Sequence, residues 1–274
     1  MKRKVVSVKK EDNNYQRFEV IKRNRNKRYK YKEFFVEGVR NINEAIKNNW
    51  EFKCFLYSGE KALSNWAKNL INSVKVENVF ELSQQLMEKL SDKDDTSEII
   101  AIVTMKSDNI NRIKFSPKPL VVVFDRPSNK GNLGTIIRSC DAMGCDGLII
   151  TGHAVDLYEP ETIISSTGSF FKLPTIRLQK YSDIVDLVLN MKPKHPDVQI
   201  IGTDECGEVS INQCEFNKPT VLLIGNETDG LSRNYKQVCD EIAKIPIGGS
   251  ASSLNVACAT SILLYEISRQ RNFK

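Results

Sequence analysis

The stretch IPIGGSASSLNVACATSILLY, Ile245 to Tyr265, decides how this chain is read. Ile245-Pro246-Ile247 reads as the end of a strand. Gly248 to Ser253 is a loop of small residues. From Leu254 the chain turns small and apolar (Asn255, Val256, Ala257, Cys258, Ala259, Ile262, Leu263) and reads as a buried helix, capped by Ser252 or Ser253. A loop of small residues feeding a helix start brings backbone N–H groups close to whatever sits there. Alone, the pattern is that of a solvent loop before a helix. Two earlier stretches change that reading.

The first is DRPSNKGNLGTIIR, Asp125 to Arg138, which follows the continuous apolar run Leu120 to Phe124. Such a run is the mark of a parallel strand buried on both faces. Gly131 and Gly134 permit tight turns, and Asn132 can hold a loop through its amide. Arg138 is read as lying early in the following helix, near its positive end, where a cation gains nothing from the dipole and points instead at an anion. The second is LLIGNETDGLS, Leu222 to Ser232, where Glu227 follows Gly-Asn at a strand end. In open α/β sheets ligands bind beyond the carboxyl ends of strands, so three polar loops at such ends point to one site. None of them is G-x-G-x-x-G, which disfavours a dinucleotide-binding oxidoreductase.

Working outward, the fold class is α/β in two parts. Residues 1–106 alternate short strands and helices, with strands read at Glu33–Val36, Phe52–Tyr57, Val74–Phe80 and Ile99–Met105. Residues 107–118 read as a linker: Ser107 to Pro119 is polar with two prolines, Pro117 and Pro119. Residues 119–274 form the larger unit around a parallel sheet, with further strands at Gly147–Thr151, Val198–Thr203 and Pro219–Gly225.

The net charge is +6, and its placement says more than its size. Residues 1–40 hold fourteen Lys and Arg, Lys2 and Arg3 among them, against five Asp and Glu, a cluster that attracts a polyanion or frays in solvent. The seven cysteines form no C-x-x-C and the two histidines no ligand spacing, so no metal is expected. Scattered unpaired cysteines fit reduced thiols in a cytosol, with Cys258 expected in the core. No apolar run approaches the ~20 residues of a membrane span.

The three motifs GNLGTIIRSCDAMG (Gly131 to Gly144), LLIGNETDGLS and IPIGGSASSLNVACAT (Ile245 to Thr260) together resemble the SpoU/TrmH branch of the SPOUT RNA methyltransferases. FFVEGVRNINEAI (Phe34 to Ile46) is similar to the L30e-like substrate-binding domain of that family. The combination resembles ribosomal-RNA 2′-O-ribose methyltransferases, including those that confer thiopeptide or orthosomycin resistance. The resemblance implies a trefoil knot, S-adenosylmethionine as cofactor, RNA as substrate and a homodimer whose interface completes the active site. It implies a cofactor site of Thr203, Ile224, Gly225, Ile245 and Leu254, and a catalytic set of Asn132, Arg138, Glu227, Ser253 and Asn255. Thr228 stands where many members have Gly, and Ser165 where many have Arg. The second departure bears on an anion contact, and so on the substrate class.

The implied reaction moves a methyl group from a sulfonium to a ribose 2′-hydroxyl, with 23S ribosomal RNA the expected substrate and transfer RNA the alternative. The protein then supplies alignment and a route for the hydroxyl proton. The rival from another class is a non-catalytic RNA-binding or ribosome-assembly protein, which would have no need of all five polar residues.

Overall fold

The computed structural model describes residues 4–272 and divides into two compact units. Lys2 and Arg3 of the basic lead lie outside the described residues. The first unit comprises the described chain through Lys106 together with Asp156–Lys172; the second comprises Ser107–Val155 and Leu173 onward.

The first unit begins with β1 (Lys4–Val8), α1 (Asn13–Arg23) and α2 (Arg25–Tyr31). There follow β2 (Glu33–Glu37), α3 (Val39–Lys47), β3 (Phe52–Ser58), α4 (Asn65–Ser73), β4 (Asn78–Leu82), α5 (Gln84–Leu90) and β5 (Ile99–Thr104). Short polar side chains set the helix starts: Asp12, Asn24, Ser64 and Ser83 each accept a backbone N–H of the first turn. The sheet order is β1-β4-β3-β5-β2, parallel on both sides of β4 and antiparallel on both sides of β5.

The basic lead is therefore folded, and part of it faces inward. Arg28 is fully buried and Lys22 nearly so. Arg28 Nε and Nη2 donate to Asp156 Oδ2 at 2.8 and 2.7 Å, and Nη2 also pairs with Glu159. Lys22 donates to Leu90 O and to Asp92. Charges this deep persist only when paired and hydrogen-bonded, as these are. Lys27, Lys30, Lys32 and Arg40 remain exposed.

The second unit runs β6 (Leu120–Asp125), α6 (Lys130–Ala142) and β7 (Gly147–Thr151). The chain then enters the first unit as α7 (Pro160–Ser165) and α8 (Ser169–Lys172). It returns with β8 (Thr175–Leu178), α9 (Tyr181–Met191), β9 (Gln199–Thr203), β10 (Val209–Ser210), β11 (Thr220–Ile224), α10 (Arg233–Val238), β12 (Glu241–Lys244) and α11 (Val256–Gln270). The seven strands lie in the order β10-β12-β9-β11-β6-β7-β8, and every pairing is parallel. Every residue of β6, β7 and β11 is buried, as their unbroken apolar sequences require. One apolar cluster gathers Val121, Val123, Ile149, Ile176, Val221 and Leu223 with Ile184 and Leu187 of α9.

Several local expectations change. Ile245-Pro246-Ile247 is irregular, because β12 ends at Lys244. Asn255, and neither Ser252 nor Ser253, caps α11: its Oδ1 accepts from Ala257 N and Cys258 N at 2.9 and 3.3 Å. Cys258 is exposed: it lies on the solvent side of α11, while its neighbour Ala257 and Thr260 are buried. Within the expected linker, residues 107–118 hold a short 3-10 turn, Ile110–Arg112, and a buried Ile113.

Candidate functional site

The carboxyl ends of β9, β11, β6 and β12 are aligned by register: Leu223 pairs with Gly202, Ile224 with Phe124, and Ala243 with Thr203. The chain leaving these ends, with the start of α11, encloses a cavity of about 700 Å3. Ligand pockets span roughly 300–1,000 Å3. Thr203, Ile224, Gly225, Ile245 and Leu254 all line it, as do Asn132, Glu227, Ser253 and Asn255. Arg138 does not.

The loop after β11 is a tight turn built by one side chain. Asn226 Oδ1 accepts from Thr228 N and Asp229 N at 2.8 and 3.2 Å, while its Nδ2 donates to Arg126 O at 2.6 Å. Gly225 is required by close approach: a Cβ there would lie 2.3 Å from Gly230 C and Leu231 N, both backbone. Arg126 adopts the left-handed region at φ 52°, uncommon outside glycine. Its guanidinium reaches Gly230 O at 3.1 Å and buried Asp125 at 3.1 Å. Asp125 in turn accepts from Ser232 N at 3.0 Å. The loops after β6 and β11 are thus bolted together at the mouth of the cavity.

Glu227 closes this arrangement. Its Oε2 accepts from Ser128 N and Oγ at 3.0 and 2.7 Å, and its Oε1 from Asn129 N and Asn132 Nδ2 at 3.2 and 3.3 Å. Burial pushes its carboxyl pKa up, but the hydroxyl and amide donors outweigh burial and hold it below the usual carboxylate range. Asn132 Oδ1 accepts from Asn255 Nδ2 at 3.1 Å. One chain of polar contacts therefore links all three loops that the sequence singled out. Asp204, Glu205 and Asp229 add negative charge to the wall, and Lys236 pairs with Asp204 at 2.6 Å.

Arg138 departs from its expected setting. Asn129 caps α6, so the helix starts at Lys130 and Arg138 is the ninth of its thirteen residues, past the positive end. Its side chain is exposed and pairs with neither Asp125 nor Glu227. Packing explains the rest of this helix. α6 and α11 lie side by side and run the same way, joined at Asn132 to Asn255, at Ser139 to Ser261 (2.8 Å) and at Ser268 to Met143 O (3.5 Å).

The SpoU rRNA Methylase family matches residues 119–265, more than half of the chain, and the SpoU L30e-like domain matches residues 12–101. The chain belongs to the SpoU rRNA methylase family. A 23S rRNA (uridine(2479)-2′-O)-methyltransferase of Streptomyces viridochromogenes is 42% identical over 94% of this SpoU chain and 90% of its own length. The crystal structure of the SpoU methyltransferase AviRb from the same organism, in complex with AdoMet, has a TM-score of 0.91 at 41% identity, covering 95% of this chain and 98% of that one. An AdoMet-bound rRNA methyltransferase from Sinorhizobium meliloti has a TM-score of 0.83 at 27% identity, covering 97% and 98%. The SPOUT fold expected from the motifs is the fold observed.

The cavity of this SpoU chain fits S-adenosylmethionine in chemistry as well as size. Ile224, Ile245, Ile247 and Leu254 offer apolar surface for a purine, and the acidic wall suits a molecule carrying a sulfonium and an ammonium. Ser128, Arg126 and Asn226 escaped the sequence reading although all three lie in or beside the quoted motifs. Ser, Arg and Asn in a loop carry no periodicity, and only their contacts reveal their use. No group of three or more His, Cys, Asp or Glu residues among the described residues is placed to hold a metal ion.

Proposed function

We propose that this protein uses S-adenosylmethionine to methylate a ribose 2′-hydroxyl of 23S ribosomal RNA. The observation that carries the reading is the junction of three loops at aligned strand ends around one cavity, with every polar residue of the family set except Arg138 on its wall. S-adenosylmethionine supplies a methyl group activated on a sulfonium. Thr203, Ile224, Gly225, Ile245 and Leu254 hold it, while Asn132, Glu227 and Asn255 keep the surrounding loops in place. Ser253, on the wall in the loop before α11, faces the reacting ribose.

Arg138 belongs to this reading as part of a homodimer. It is exposed on α6 and absent from the cavity wall of its own chain, so a second copy brings it to the ribose and phosphate. Ile262 and Tyr265 on the neighbouring α11 are exposed at 42% and 52%, large for side chains left in water, and support a protein surface there. Light scattering at micromolar concentration is expected to give twice the chain mass; a monomer rejects the shared site. The family's trefoil knot is part of the same proposal, supported by the packing of the last helix, α11, on α6 beside the cavity. The exposed basic residues of α2 and Arg40 support RNA contact by the first unit. The described residues contain no helix long and apolar enough to cross a membrane, which accords with a cytoplasmic enzyme.

The test is direct. Calorimetry is expected to show S-adenosylmethionine binding, and mapping of 2′-O-methylation on ribosomal RNA, with and without the protein, to show one added site. Methylation confined to transfer RNA would replace the substrate. Cofactor binding with no methylated RNA would favour the assembly-protein reading.

A further inference from the structure

We propose that Ser128, a residue outside the family's polar set, is a positioning residue for methyl transfer: it fixes the carboxylate that ends a one-way chain of hydrogen bonds running from the α11 N-terminus across the cavity. The proposal rests on the methyltransferase reading above.

The direction of that chain follows from donor and acceptor counting. Asn255 Oδ1 is committed to the first-turn N–H groups of Ala257 and Cys258. A helix start offers only donors, so the carboxamide oxygen must face it and the NH2 must face away. That NH2 needs an acceptor and finds Asn132 Oδ1 at 3.1 Å. The Asn132 carboxamide is thereby turned too, with its own NH2 toward Glu227 Oε1 at 3.3 Å. The last member must accept and cannot donate, which a carboxylate satisfies and a carboxamide does not. Both Glu227 oxygens receive two donors, and Ser128 supplies both of those on Oε2. Its hydroxyl contact, at 2.7 Å, is the shortest of the four. With its oxygens so occupied, Glu227 is an anchor, and the proton of the ribose hydroxyl leaves by another route. What Ser128 controls is where Glu227, and through it Asn132 and Asn255, stand at the wall.

The test uses the full-length protein with S-adenosylmethionine and ribosomal RNA. Ser128→Ala is expected to keep cofactor Kd within about twofold of wild type, to lower melting temperature only modestly and to lower kcat about tenfold, since a hydrogen bond to a charged group is lost. Ser128→Thr, which restores the hydroxyl, is expected to recover most of the turnover. Asn255→Asp provides a second reading: its carboxylate still caps α11 and suits the helix dipole, but presents an acceptor to Asn132 Oδ1. Melting temperature is expected to hold or rise while kcat falls. Wild-type turnover in Ser128→Ala or in Asn255→Asp overturns the proposal, as does a Ser128→Ala loss that Thr leaves unrepaired or that melting temperature and cofactor affinity follow in step. Wild-type protein that binds cofactor and methylates no RNA overturns the functional reading itself, and the proposal with it.

Discussion

At the scale of single residues, function here depends on where donors and acceptors can point. Arg138 has an exposed guanidinium on the outer part of α6 and no part in its own cavity wall. Arg138→Ala is therefore expected to leave folding and cofactor affinity near wild type and to reduce turnover by ~10²–10⁴-fold. Arg138→Lys keeps the charge without the planar fork, and substantial activity in it would show that charge alone suffices. Glu227 makes a pH prediction. Its folded pKa lies below the unfolded value, so its stabilising contribution is present above that unfolded value, about 4.3, and is lost as pH falls through the lower folded value. The melting-temperature gap between wild type and Glu227→Gln should be wide near pH ~7 and should close below pH ~4. A gap that stays constant into acid would remove the ionised acceptor from the account. Asn132 and Glu227 were recognisable as polar residues in marked loops, but their mutual contact was not, because 95 positions separate them in the chain.

At the scale of elements, the segment Asp156–Lys172 is built into the first unit by one buried cation and a ring cluster. Arg28 of α2 holds Asp156 and Glu159, and Tyr29 donates to Asp156 at 2.6 Å. Trp50 Nε1 donates to Phe171 O at 2.8 Å, and Phe34 packs against Tyr158, Phe170 and Phe171 with ring centroids 4.9, 5.7 and 6.3 Å away. Removing one member of a buried charge pair leaves the other uncompensated, at a cost of ~3–5 kcal/mol. Arg28→Ala should lose that much stability in urea unfolding, and Arg28→Met, which fills the space, less when Asp156 is also made Asn. Equal stability of wild type and Arg28→Ala would contradict the burial argument. None of this was visible in the basic lead, where Arg28 looks like any of the thirteen other Lys and Arg residues.

At the scale of the whole molecule, the boundary between units is not a single point in the chain. From sequence, deleting residues 1–105 looks like a clean removal of the RNA-selecting part. With Asp156–Lys172 folded into the first unit, that deletion strips Asp156 and Glu159 of Arg28 and leaves Tyr158, Phe170 and Phe171 without Phe34 and Trp50. The truncated protein is expected to aggregate or to unfold at lower temperature than the intact chain. A stable, monodisperse truncation that binds cofactor with native affinity would show the segment able to stand alone. Deleting the basic α2 charges one at a time, sparing Arg28, is the cleaner way to separate RNA affinity from folding, because phosphate contacts add without a shared core.

The sequence by itself determined the alternation of strands and helices, the unbroken apolar strands of the parallel sheet and the family, and nine of the ten site residues that its resemblance implied line the cavity. These are properties of local pattern: apolar runs, small-residue loops and motifs whose order survives in one dimension. Only the tertiary structure decided that Asn255 caps α11, that Ser128, Asn129 and Asn132 saturate Glu227, that Arg138 lies away from the cavity of its own chain, and that Arg28 and Lys22 turn inward. The reason is physical. A cap, a paired buried charge and a saturated carboxylate each depend on which donors and acceptors meet across long chain separations, and residue type at one position carries no record of its partner at another.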